Sequence, residues 1–78
     1  MTETGIDLAL AMALVGSLKN KPLPQNSVFI GEVGLLGEIR KVNYLDRRIK
    51  EAKRLGFKKV YSKETHSSVR KLLKQIGF

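Results

Sequence analysis

At 78 residues, 42% of them apolar, the chain is the size of one domain with a thin core, since a unit this small buries only about 60% of its unfolded surface. It has no cysteine, which excludes disulfide staples, thiolate zinc sites and a cysteine nucleophile. Its net charge of +8 is unevenly placed: residues 1–39 carry two basic and four acidic side chains, and residues 40–78 carry thirteen basic and three acidic. That excess in one half points to a polyanionic partner, most often nucleic acid.

In chain order, Gly5–Leu18 reads as a helix. Ile6, Leu8 to Leu14 and Val15 leave it almost no polar face, and a helix apolar all round is buried on several sides. Thr2 or Thr4 caps its start, with Glu3 and Asp7 at the positive end of its dipole. A polar loop holding Pro22 and Pro24 ends it. Two extended segments follow, Ser27–Val33 and Glu38–Val42, joined across Gly34–Gly37 as a β-hairpin.

Asn43 or Tyr44 opens the next helix, with Asn43 suited to the N-cap and Asp46 to the capping-box acid. This helix runs to about Leu55, and Gly56 stops it. Leu45, Ile49 and Ala52 form its apolar stripe, and Arg47, Arg48, Lys50, Lys53 and Arg54 surround the remainder. Phe57–Tyr61 reads as a short strand, with Phe57 and Val60 as core residues. A last helix over about Ser67–Gln75 sets Val69, Leu72, Leu73 and Ile76 against Arg70, Lys71 and Lys74. The expected order is α-β-β-α-β-α, an α/β (α+β) single partial domain over residues 1–78. Three strands and two amphipathic helices hardly bury the first helix, so the chain is expected to oligomerise or to be a piece of a larger domain.

Several ordered motifs carry a family resemblance. They are Glu3-Thr4-Gly5-Ile6-Asp7-Leu8-Ala9, Pro22-Leu23-Pro24, Gly31-Glu32-Val33-Gly34-Leu35, Gly37-Glu38-Ile39-Arg40, and Glu51 through Phe57 together with Leu45 and Arg48. In this order and spacing, they resemble the C-terminal Lon-protease-like domain of the RadA (Sms) family of bacterial DNA recombination and repair proteins. The resemblance covers Glu3 to about Tyr61. It implies the C-terminal half of a Lon-protease-like domain, related to the two-layer α/β fold of ribosomal proteins. It further implies a scaffold that forms hexameric rings, contacts single-stranded or branched DNA, and supports ATP-driven branch migration. ATP, magnesium and zinc are expected for the parent protein only. This chain has neither a zinc cysteine set nor a Gly-x-x-x-x-Gly-Lys-Ser/Thr phosphate loop.

An active Lon-type protease pairs a serine nucleophile at the start of the first helix with a lysine base after the hairpin, because serine is a poor nucleophile until a base takes its proton. On the resemblance those positions fall at Gly5 and Asp46, so no dyad chemistry is expected. His66 is the sole histidine and reads as a solvated or capping residue; without a second ligand it makes no metal site. Glu32 and Glu38 flank the turn and are read as strand carboxylates in preference to an acid–base pair.

DNA contact is instead placed on Arg47, Arg48, Lys50, Lys53, Arg54, Lys58 and Lys59. Arg47, Lys50 and Arg54 share one face at 100° per residue, with Arg48 nearer the apolar edge. Such a cluster neutralises phosphates with little sequence preference, and the few aromatics argue against base stacking. Arg48 is alternatively a subunit contact. The competing readings are an oligomerisation module without DNA contact, a degenerate fragment of a Lon-type serine protease, and a ribosomal-type RNA binder. The chain opens Met-Thr-Glu without a secretory signal, and its longest apolar stretch, Leu8–Val15, falls short of the ~20 residues of a membrane span. A cytoplasmic protein with no membrane partner and no small-molecule substrate is expected.

Overall fold

The structure, a computed structural model, describes residues 5–78. Among these the elements run β1 (Ile6–Asp7), α1 (Leu8–Lys19), β2 (Ser27–Ile30), β3 (Glu32–Val33), β4 (Ile39–Arg40), α2 (Leu45–Arg54), β5 (Lys59–Ser62) and α3 (Val69–Ile76). The α/β class and the three helices match expectation. The strand order does not: it is β-α-β-β-β-α-β-α.

Two corrections concern the first half. Ile6–Asp7 is a short strand outside the helix, antiparallel to β3 with Ile6 opposite Val33 and Asp7 opposite Glu32. Asp7 is itself the N-cap, its carboxylate accepting from Leu10 N at 3.1 Å. The alternative caps Thr2 and Thr4, and Glu3, lie outside the described residues. The segment Ser27–Val33 is likewise not one strand. It breaks at Gly31: β2 pairs in parallel with β5, and β3 pairs antiparallel with β4 as the hairpin.

Gly31 is buried, and a Cβ there would sit 3.1 Å from Ile39 Cγ2 and 3.3 Å from Arg40 O. Its carbonyl accepts the N–H of Leu8 at 2.9 Å. The absent side chain lets the hairpin and the helix start close on the strand from both sides.

The second half needs two further corrections. Tyr44, not Asn43, is the N-cap residue of α2; it sits in the left-handed region at φ 62 and supplies no side-chain cap bond. The strand after Gly56 starts at Lys59, so Phe57 is 37% exposed and is not a core residue. Gly56, at φ 102, turns the chain so that Phe57 N returns to Ala52 O, and only Lys58 N and Lys59 N reach Asn26 O to enter the sheet. The predicted stop at Gly56 holds. α3 is capped by the Ser68 side chain and closed by Gly77 in the left-handed region.

Leu8, Met12, Phe29, Ile39 and Leu72 form the core, with Leu23, Val33, Tyr61, Val69, Leu73 and Ile76 packed against it. Phe29 and Tyr61, opposite one another in register, stack at 5.2 Å. The α3 start is tied to the hairpin through Ile39 N to Ser67 O and Val69 N to Gly37 O, both 2.9 Å. The first helix is not buried on several sides here. One face (Leu8, Ala11, Met12, Gly16) is buried, while Leu10, Leu14 and Leu18 stand 54%, 51% and 86% exposed.

Truncating Met12 to Ala should therefore cost about 2–5 kcal/mol in urea unfolding, a large share of a small domain's stability. Leu14→Ala should stay within about 0.5 kcal/mol.

Candidate nucleic-acid interface

The stripe Leu45, Ile49 and Ala52 turns one side of α2 inward: Leu45 and Ala52 are buried and Ile49 is half-buried. Everything else on this ten-residue helix faces solvent. All seven predicted cations are accordingly exposed, but they are not equivalent.

Arg54 donates from Nε to Glu51 Oε1 at 3.1 Å and pairs through Nη2 with Glu51 Oε2. That contact raises the arginine above its ordinary pKa and holds the Glu51 carboxyl below its own. Part of the Arg54 charge is thus already answered. Lys53 and Lys58 edge a groove of about 270 Å³ with Ile49, Val60, Ser62, Glu64 and Thr65. Lys59 opens β5, leaving Arg47 and Lys50 as the outward pair on the shared face.

Arg48 belongs elsewhere. With Gly5, Asp7, Gly31, Glu32, Val42 and Asn43 it lines an open cleft of about 530 Å³ between the hairpin and the start of α2. Gly5, one of the two positions that the resemblance assigns to the dyad, is in this cleft. Asp46, the other, is an exposed residue of the first turn of α2 and not among the cleft's lining residues. A Cβ at Gly5 would overlap the carbonyl oxygen of Val33 and come within 2.9 Å of Glu32 Cγ. The backbone has closed over the place a side chain would take.

The two hairpin carboxylates share one arginine. Arg40 pairs with Glu38 Oε2 at 3.0 Å and with Glu32 Oε1 at 3.7 Å. Glu38 also accepts from Leu36 N at 3.1 Å, bracing the turn. Its carboxyl is held below the ordinary 4.5 by hydrogen bonding to its own backbone N–H and then to Arg40. Among the described residues no group of three His, Cys, Asp or Glu side chains is placed to hold a metal, and no helix is long and apolar enough to cross a membrane.

The DNA-contact set read from the sequence left out the cations of α3 and of the α1 C-terminal end. Arg70, Lys71 and Lys74 looked like the solvated side of an amphipathic helix, and Lys19 and Lys21 lie far from them in sequence. Folding joins them, with Lys19 Nζ and Lys21 Nζ donating to the carbonyls of Phe78 and Gly77. An α3 polar face with three cations and no acidic residue was the available signal.

A group whose folded pKa is lowered adds stability above its unfolded pKa and loses it as pH falls through the folded value. Acid unfolding of the native chain should therefore steepen below about pH 4.5. Glu38→Gln, which cannot ionise, should flatten that part of a pH series of urea midpoints.

Residues 2–77 match the family model ChlI, described as subunit ChlI of Mg-chelatase. The chain is 51% identical over 61 residues to the DNA repair protein RadA of Streptococcus pneumoniae, which covers 78% of this chain and 14% of that protein. Identity to the RadA of Aquifex aeolicus is 60% over 57 residues, 73% of the chain and 13% of the relative. For Campylobacter jejuni RadA it is 53% over 58 residues, again 13% of the relative. The chain thus spans about one seventh of the length of the curated relatives it matches.

Proposed function

Since the chain belongs to the ChlI family and is related to the Lon-like part of the DNA repair protein RadA, we propose that it is a non-catalytic scaffold that contacts DNA within a larger repair protein. The observation that carries this reading is the outward cation set of α2 and the entry to β5: Arg47, Lys50, Lys53, Lys58 and Lys59, all exposed. Charges so arranged gain affinity by releasing counterions from the phosphate backbone and read little sequence. That suits a protein that acts on recombination intermediates of any sequence. In the longer protein the unit repeats around a hexameric ring, and the ATP, magnesium and zinc chemistry of branch migration resides in other segments.

The absence of a side chain at Gly5, the nucleophile position implied by the resemblance, supports a non-catalytic role. So does the crowding that a Cβ would meet there. Gly5→Ser combined with Asp46→Lys should yield no casein-degrading activity and should lower the urea midpoint, because something must move to admit the serine.

The second reading, an assembly module without DNA contact, is favoured by the exposed Leu10, Leu14 and Leu18 ridge on α1, which sits at i, i+4, i+8 spacing as helix-packing ridges do. Reversing Arg47 and Lys50 to Glu separates the readings. DNA contact predicts at least about a tenfold loss of affinity at low salt and a salt slope shallower by roughly one unit per lost phosphate contact. Unchanged DNA binding with lost assembly would favour the module reading.

A further inference from the structure

The cations of the second half do not share one side of the molecule. Phe29 and Tyr61 turn toward α1 and α3, where Met12, Leu72 and Leu73 pack. Strand alternation sends their neighbours Val60 and Ser62 the other way, and there they line the groove with Ile49 and Lys53 of α2. The two basic helices therefore lie on opposite faces of the β2–β5 sheet.

α3 contains no acidic residue, and Arg70, Lys71 and Lys74 are exposed along it. At its C-terminal end lies an open groove of about 610 Å³ lined by Arg70, Leu73, Lys74, Gly77 and Phe78. Arg70 and Lys74 stand one helical turn apart, so their stems start about 6 Å from each other. Leu73 and Phe78 supply the apolar floor. Lys19 Nζ donates to Phe78 O at 3.0 Å and Lys21 Nζ to Gly77 O at 3.4 Å, so the helix-end carbonyls already have cationic partners. Lys21 also stands 5.8 Å from the centre of the Phe78 ring.

We propose that this groove is a second nucleic-acid contact, which takes a single strand: a base lies on Leu73 and Phe78, and the backbone phosphates meet Arg70 and Lys74. An apolar floor with an aromatic ring, edged by cations, matches the two demands of an unpaired strand, a stacking face and neutralised phosphate. A duplex keeps its bases stacked inside and presents no face to the floor. An anionic membrane matches less well. The apolar side of α3 is spent on the core, with Leu72 fully buried and Leu73 and Ile76 packed against the cluster, leaving no broad face to insert. The contact stands independently of the α2 surface, and the two together would let one subunit meet nucleic acid on opposite sides.

The test is fluorescence anisotropy with labelled oligo-dT and a duplex of equal length, on the full chain, with circular dichroism melts to verify folding. Phe78→Ala should weaken oligo-dT binding about tenfold, as loss of one stacking partner does, and change duplex binding by less than about twofold. Arg70→Glu with Lys74→Glu should weaken oligo-dT at least as much and make its salt dependence shallower. Arg47→Glu with Lys50→Glu should weaken duplex and oligo-dT through phosphate contacts alone and leave the strand-over-duplex effect of Phe78→Ala in place, so failure of the α2 reading shows separately. Oligo-dT binding unchanged in both α3 variants overturns the proposal, as does an equal loss for strand and duplex in Phe78→Ala. Sedimentation with phosphatidylserine vesicles that Arg70→Glu/Lys74→Glu abolishes, with oligo-dT unaffected, overturns it in favour of a membrane surface.

Discussion

The fold depends on the contact at Gly31. There the chain passes from a parallel pairing with β5 to an antiparallel pairing with β4, while its carbonyl receives the first helical N–H of α1. One segment thereby belongs to two sheets, and a side chain would crowd Ile39 Cγ2 and the Arg40 carbonyl oxygen at 3.1 and 3.3 Å. Everything that positions the basic surfaces follows from it. β2 carries α2 on one face and α1 with α3 on the other, and the hairpin beyond Gly31 anchors the start of α3.

Much of this was legible because it is written in local chemistry. The Gly34–Gly37 turn, the stripe of α2, the Gly56 stop and the two faces of α3 each need only a few neighbouring residues to be specified. The break at Gly31 was legible in principle, since a glycine inside a strand marks a bend or a close approach, but Ser27–Val33 reads as extended from its residues and nothing local says that its partner changes. Phe57 misleads for a similar reason. Its apolarity argues for burial, yet the register of β5 is decided by Asn26, thirty-one positions away, whose carbonyl takes both Lys58 N and Lys59 N. Asn43 has the chemistry of a cap, and the chain nonetheless makes its turn at Tyr44.

The candidate site divides in the same way. That the second half is cationic is plain from composition, and the exposure of every α2 cation follows from the stripe opposite. How the charge is shared is a three-dimensional matter. Arg54 is drawn to Glu51, Arg48 is set in the cleft beside Gly5 and Glu32, and the α3 cations face away from α2. The α1 leucine ridge adds an apolar surface at a third place. Charge on two faces and an uncovered helix are the surfaces that the proposed role, a repeated element of a nucleic-acid-handling assembly, would use.

On the proposed function, phosphate contact and not base recognition gives this chain its partner. The most direct measurement is the salt dependence of its affinity for mixed-sequence DNA, between about 50 and 200 mM salt. With roughly five cations engaged, log K should fall linearly with log salt at a slope of about −4, with little change among sequences. A slope near zero, or an affinity that depends strongly on sequence at constant salt, would contradict the account.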